Sequence, residues 1–301
     1  MSKPFTVVVP VKVTDASLVA HSVSEADYAV YSASTTYNTG ARVIVTTGYH
    51  LVYECLADGV VGKFPPDNPL QWVEVGPTNR WCAFDESGGT LTTATGSIEF
   101  QLTGDRIDSF GFLDVDANSI RIQATSSEYP NYFDKTIALT DAALLNAWFG
   151  YFNAPIQRKR VAVEFGVPSI ANSTYTITIT GTGQVSLGTF VMGNARELGF
   201  TEYGASISVK SYGTVLEDDY GRRTRVRRGY ARRMQVSIFM ERSVTDAVQR
   251  QFEALRETGA LWVAADGMYE STTIFGDYKD FQILLQYPTH NQCSVQIEGI
   301  A

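Results

Sequence analysis

Alternation of apolar and polar side chains, rather than helical spacing, dominates the chain. In Thr174-Tyr175-Thr176-Ile177-Thr178-Ile179-Thr180, Tyr and Ile fall on one face and Thr on the other. That is the two-residue period of a half-buried strand. Comparable runs predict strands over 97–103, 109–115, 119–125, 160–167 and 185–192; with 174–181 they read as one β-sandwich. Further strands are expected over 205–212, 224–241, 260–265, 281–287 and 292–298. Nearer the start, the turn signal Tyr37-Asn38-Thr39-Gly40 leads into a strand over 42–47, and Gly48 turns the chain into a second over 50–56. Pro65, Pro66 and Pro69 stiffen the loop before Trp72. Phe5, Val7 and Val9 alternate in a stretch too short to own a core, which reads as an extended arm or edge strand, either a frayed tail or a segment that pairs with another domain or subunit; deletion of residues 1–25 is expected to weaken assembly more than folding.

Two segments carry helical spacing. In the first, Thr140 or Asp141 can cap, Leu144, Leu145, Trp148 and Phe149 face inward, and Gly150 stops the helix. In the second, Ser243-x-x-Asp246 opens in capping-box style, and Val244, Val248, Phe252 and Leu255 share one face before Gly259. The resulting fold class is mainly β and multi-domain. It comprises an N-terminal arm (1–27), a small β unit (28–78), a β-sandwich (79–195) and an α+β unit with one helix (196–301).

Composition narrows the function classes. With 44% hydrophobic and 19% charged residues among 301, the chain can bury a core and is not of the disordered type. No apolar run is long enough for a transmembrane helix, so no membrane span is expected, and the first ten residues lack the features of a signal peptide. Cys55, Cys82 and Cys293 are odd in number and lack CxxC spacing, which fits folding in a reducing compartment without a disulfide framework or zinc site. The net charge of −8 is uneven: residues 1–150 carry 8 Lys/Arg against 17 Asp/Glu, whereas residues 151–301 carry 16 against 15. Two chemically different surfaces follow.

Catalytic chemistry finds little footing. His21, His50 and His290 lie in no metalloprotease or nucleophile-elbow pattern, and no phosphate-binding or dinucleotide-binding glycine loop occurs. Asp114-Val115-Asp116 and Glu217-Asp218-Asp219 lack the spaced oxygen ligands of a calcium loop and read as solvated turn acids. No enzyme, cofactor or metal is expected. The strongest local charge is the run Arg222, Arg223, Arg225, Arg227, Arg228, Arg232 and Arg233. On a strand, Arg223, Arg225 and Arg227 share a face. The run has three readings: nucleic-acid contact, a subunit or domain interface, or solvated surface. Overall acidity and the lack of a nucleic-acid-binding motif weigh against the first. The candidate subunit interface comprises Phe5, Val7 and Val9 with Arg223, Arg225, Arg227, Arg228, Arg232 and Arg233. Aromatic residues are dense over 28–84, where Tyr49, Trp72 and Trp81 are candidates for stacking on a sugar ring, although aromatics equally fill small cores.

Some motifs carry resemblances. Tyr37-x-x-Gly40-x-x-Val43, Tyr53-Glu54-Cys55, Pro65-Pro66 and Trp72-Val73-Glu74-Val75-Gly76 resemble small chitin-binding-type carbohydrate-binding modules, although Leu56-Ala57-Asp58-Gly59 stands where their exposed aromatic pair is usual. Gly76-Pro77-Thr78-Asn79-Arg80-Trp81 and Gly188-Thr189-Phe190-Val191-Met192-Gly193 resemble the opening and closing strands of galactose-binding-like jelly rolls in tailed-phage structural proteins. Leu198-Gly199-Phe200-Thr201, Asp219-Tyr220-Gly221, Leu261-Trp262-Val263 and Phe275-Gly276-Asp277-Tyr278 are similar to distal-tail or baseplate-adaptor proteins. The resemblance implies a virion component of a bacteriophage tail, made in the host cytoplasm. It implies a ring, trimeric or hexameric, contacting hub or fibre proteins and a host surface glycan. The alternative is a free glycan-binding adhesin. Fold likeness alone does not give function.

Overall fold

The chain is mainly β in a computed structural model that describes residues 3–85, 87–140, 158–217, 219–285 and 287–300. A five-stranded antiparallel sheet runs in the order β2 (Leu18–His21), β6 (Thr92–Gly104), β11 (Ser173–Leu187), β8 (Ser119–Ser126) and β9 (Phe133–Ala138). It packs on β10 (Ala162–Glu164), β7 (Ser109–Leu113) and the first half of β12 (Thr189–Thr201). The inward face is the one that the alternation predicts: Tyr175, Ile177 and Ile179 of β11 meet Phe110, Phe112, Phe190 and Met192 across the sandwich. Phe190 lies edge-on or tilted to Phe100 and Phe112, with ring centroids 5.0 and 5.4 Å apart. Aromatic contacts of this geometry add about 0.5–1.5 kcal/mol each beyond burial.

The second half of β12 belongs to a different body. It pairs with β1 (Pro4–Pro10), and the sheet continues through β17 (Ala260–Val263), β18 (Thr273–Leu284), β19 (His290–Gly299) and β16 (Tyr230–Glu241). β16 then returns to β12 through Phe200↔Phe239 and Thr201↔Ile238. Six strands therefore close into a barrel, which removes the open edges a flat sheet would leave. At the seam, Gly199 has φ +140°, and a Cβ there would stand 2.5 Å from the Phe239 carbonyl oxygen, so only glycine lets the strands meet. The single described α-helix, α1 (Thr245–Ala254), adds Val248 and Phe252 to the barrel interior. Phe252 stacks between Trp262 (5.8 Å) and Phe281 (4.7 Å), and the Trp262 indole N–H donates to the Gly276 carbonyl at 2.9 Å.

Two smaller sheets complete the chain. β3 (Arg42–Val45), β4 (Leu51–Cys55) and β5 (Trp72–Pro77) enclose a core of Tyr37, Val43, Val45, Tyr53, Cys55, Val60 and Trp72. Beyond β13 (Ser206–Ser211), the edge strand paired to β16, a two-stranded ribbon is formed by β14 (Thr214–Glu217) and β15 (Arg223–Val226).

The structure corrects several expectations. Residues 4–10 are not a free arm but a strand paired on both sides, with Phe5 and Val7 buried in the barrel and Val9 packed against its core. Their apolar face is consumed within the chain, so the Phe5 and Val7 side chains are not open to a partner subunit. The boundary expected between 195 and 196 falls inside β12, which serves both bodies. The strand expected over 224–241 is interrupted at 227–229, and that over 185–192 is divided at Gly188 between β11 and β12. The Ser243 hydroxyl does not cap α1; it lies 3.4 Å from the Glu241 carboxylate, and a short 3-10 turn leads into the helix. Val244 is exposed, leaving Val248, Phe252 and Leu255 on the buried face. The helix expected at 140–150 lies outside the described residues except for Thr140, which bridges to Arg158.

Removal of residues 1–10 is expected to abolish cooperative unfolding by urea and near-ultraviolet dichroism, because it takes out a barrel stave. Gly193→Ala is a milder probe: its Cβ would stand 1.9 Å from the Val9 carbonyl oxygen, so β1 must shift. A loss of about 3 kcal/mol or more in urea titration is expected; wild-type stability would refute the pairing.

Candidate interaction surfaces

Antiparallel register assigns the ribbon two chemically distinct faces. Opposed pairs share a face, and the face alternates along the strand. Thr214↔Val226 and Leu216↔Thr224 form an uncharged face; Val215↔Arg225 and Glu217↔Arg223 form a charged one. Both are open: Val215 and Leu216 are 55% and 59% exposed. Arg223 contacts Glu217 at 3.0 Å, whereas Arg225, Arg227 and Arg228 are exposed and ion-pair with no described residue. A two-stranded ribbon without a covered face is marginal in water.

The root of the ribbon is fixed by one carboxylate. Glu298 of β19 is 9% exposed; it accepts from Tyr212 Oη at 2.8 Å, Lys210 Nζ at 3.1 Å and Arg233 Nη2 at 2.7 Å. Burial alone would raise the Glu298 carboxyl, but hydrogen bonds from Tyr212, Lys210 and Arg233, with the Arg233 charge, outweigh it and hold it at about 2. Arg233 is thus committed within the chain, and Arg232 reaches Asp114 at 3.4 Å. Of the expected arginine interface, Arg223, Arg225, Arg227 and Arg228 lie on the ribbon or at its root, while Arg232 and Arg233 serve the fold.

A cleft of about 440 Å³ opens where the sandwich meets the barrel. Asp114, Asp116, Arg160, Tyr230, Arg232 and Phe275 contribute to its wall. Asp114 is held in a left-handed conformation (φ +50°), and Asp116 is paired with Arg158 at 2.9 Å. The volume is that of a small-molecule site, and the wall mixes aromatic rings with charged planar groups.

The candidate sugar-stacking aromatics separate. Trp72 is 2% exposed, its indole N–H donates to the Lys63 carbonyl at 3.0 Å, and its ring meets Tyr37 at 5.2 Å. It is core and has no face for a ligand. Trp81 has one face covered by the His50 ring, 4.0 Å away at 19°, and its edge against Phe84. Tyr49 remains 45% exposed. His50, at φ +56°, ties the small unit to the preceding chain: Nδ1 lies 3.0 Å from Glu25 Oε1, and Nε2 contacts Asp15 Oδ1. Glu25 also accepts from Thr78 Oγ1 at 2.9 Å.

Among the described residues, no three His, Cys, Asp or Glu side chains converge where a metal ion could sit, and no helix is long and apolar enough to cross a membrane. Comparison with protein-family models, curated proteins and solved structures finds no match to the chain. Sequence reasoning missed Glu298 and the cleft. Glu298 is the one acid of an alternating strand whose same face carries Gln292, Ser294 and Gln296, so nothing local set it apart; the cleft is assembled from distant segments and left no local signal either.

Glu298 sets a pH dependence. Its folded carboxyl titrates below the ordinary 4.5, so the native state binds fewer protons than the unfolded chain, and stability falls as pH drops from 4.5 to about 2. Glu298→Gln is expected to lower the urea midpoint at pH 7 and to flatten its fall over that interval. An unchanged slope would refute the assignment.

Proposed function

We propose that the chain is a non-catalytic structural protein that associates with copies of itself through the β14–β15 ribbon, as a component of a bacteriophage tail. In that role it links the tail to fibres or host-binding parts. The observation that carries this reading is the ribbon: an exposed β-hairpin with one uncharged face, and with Arg225, Arg227 and Arg228 ion-paired to no described residue, standing off a closed barrel. A surface of that kind is completed by a partner. The finer assignments rest on the sequence resemblances: a chitin-binding-like unit, a galactose-binding-like jelly roll, a tail-type domain and a trimeric or hexameric ring in the virion. The direct test is mass in solution by light scattering at about 0.15 M and about 1 M salt, where the Debye length shrinks from about 8 to about 3 Å. A multiple of 33.1 kDa that loosens at high salt is expected, and combining Arg223→Glu, Arg225→Glu and Arg227→Glu should give a folded monomer. A monomer at every salt concentration and protein load would reject self-association.

The cleft favours a second, compatible reading, glycan binding, because its wall offers Tyr230, 53% exposed, beside Asp114 and Arg232. Aromatic faces stack on sugar rings while planar charged groups bond to hydroxyls. If the cleft binds glycan, saccharide-induced shifts in NMR spectra should vanish in Tyr230→Ala and persist in Tyr49→Ala. The reverse pattern would return the site to the small unit.

A further inference from the structure

We infer that the ribbon of one copy docks into an apolar groove on the next copy, at the opposite end of β13, so that copies join head to tail. This rests on the self-association reading and adds the receiving surface and the polarity of assembly. The groove, about 370 Å³, is walled by Tyr203, Ile207, Ala264, Met268 and Tyr269, with Lys3 at its margin. Four of these are large side chains left in water: Tyr203 is 93%, Ile207 44%, Met268 57% and Tyr269 63% exposed. Such a grouping is what a partner's apolar face covers.

Shape, charge and position all favour the ribbon as occupant. The uncharged ribbon face, with Leu216 and Val226 between Thr214 and Thr224, supplies β-branched and aliphatic side chains and no charge to desolvate. Glu202 lines the groove, and Asp266 and Glu270 are chain neighbours of its lining residues Ala265 and Tyr269; none of the three is ion-paired with a described residue. Glu202 instead accepts from Gln292 Nε2, and Glu270 from the Arg160 backbone N–H. With the uncharged face in the groove, Arg223 and Arg225 lie on the reverse face; the ribbon carries Arg223, Arg225, Arg227 and Arg228 against Glu217 and Asp219, so its net positive charge, rather than direct pairing by every arginine, matches the acids of the receiving end.

Position then sets the symmetry. The ribbon leaves the Ser211 end of β13, and the groove lies at the Ser206 end. At roughly 3.3 Å per residue, these ends are about 17 Å apart. The two patches differ and lie apart on one chain, so the contact is heterologous: it builds rings or open filaments, not a two-fold dimer.

Disulfide trapping tests the inference on the full chain. Leu216→Cys and Met268→Cys alter exposed positions, so neither should perturb folding. The native thiols do not compete: Cys55, Cys82 and Cys293 are buried, and burial pushes Cys82 to about 11 and Cys293 to about 12. Under mild oxidation, each variant alone should stay monomeric on a non-reducing gel, a mixture should give a linked dimer, and the double variant a ladder. Thr224→Cys with Tyr203→Cys is the second pair. If wild type associates, yet neither pair links while Val209→Cys links to itself, the copies meet edge to edge through β13; the groove is then overturned and self-association stands. A wild type that is monomeric throughout overturns both.

Discussion

The seven residues of β1 are the constraint on which the barrel depends. They lie between β12 and β17, hydrogen-bonded on both sides; Phe5 and Val7 enter the barrel interior, while Val8 is buried on the opposite face with Leu113 and Val191. Without them β12 and β17 would present two unpaired edges and the interior would open to water. The close approach at Gly193 and the seam at Gly199 are consequences, since strands that must meet at backbone distance leave no room for a Cβ. β12 carries this constraint into the sandwich: its first half packs with β7 over the Phe110–Phe190 core, and its second half is a barrel stave. Two cores are thus held by one strand, which a boundary drawn between consecutive domains does not express.

Against this closed architecture the ribbon is an exception. Nearly all other strands have at least one face against a core. β14 and β15 have neither, and their attachment is concentrated at Glu298. One buried carboxylate with three donors fixes where the hairpin leaves the barrel without restricting what its faces touch. That combination, a rigid root and an uncovered blade, suits a surface meant for another molecule.

How much of this was legible in the sequence follows from the range of the interactions. The strand at 174–180 announces its buried face because the period of two is local, and Val248, Phe252 and Leu255 announce theirs through helical spacing. The small β unit was visible in its turn residues: Gly40, at φ +83°, does what the Tyr37–Gly40 signal requires. The role of β1 was not legible, since Phe5-x-Val7-x-Val9 says "strand" but nothing of partners near residue 196. The same limit left Trp72 open between sugar stacking and core, because an aromatic side chain reads alike whether a core or a ligand covers it. Arg232 and Arg233 continue the arginine run, yet their acids, Asp114 and Glu298, lie far away in the chain. Arg223 and Arg225 do share one face of a strand, as their two-residue spacing indicates, whereas Arg227 falls in the break at 227–229.

The placement of β1 also orders events in time. During synthesis the residues of β1 leave the ribosome well before their partners at 193–200 and 261–263. The sandwich core over 98–192 can condense while β1 still lacks a neighbour. The barrel can close only after the C-terminal strands are released. A contact such as Val7 to Arg196 has high sequence separation, which slows folding through loop-closure entropy. For that interval the nascent chain carries a short, unpaired apolar strand, and the native fold hides it only at the final step.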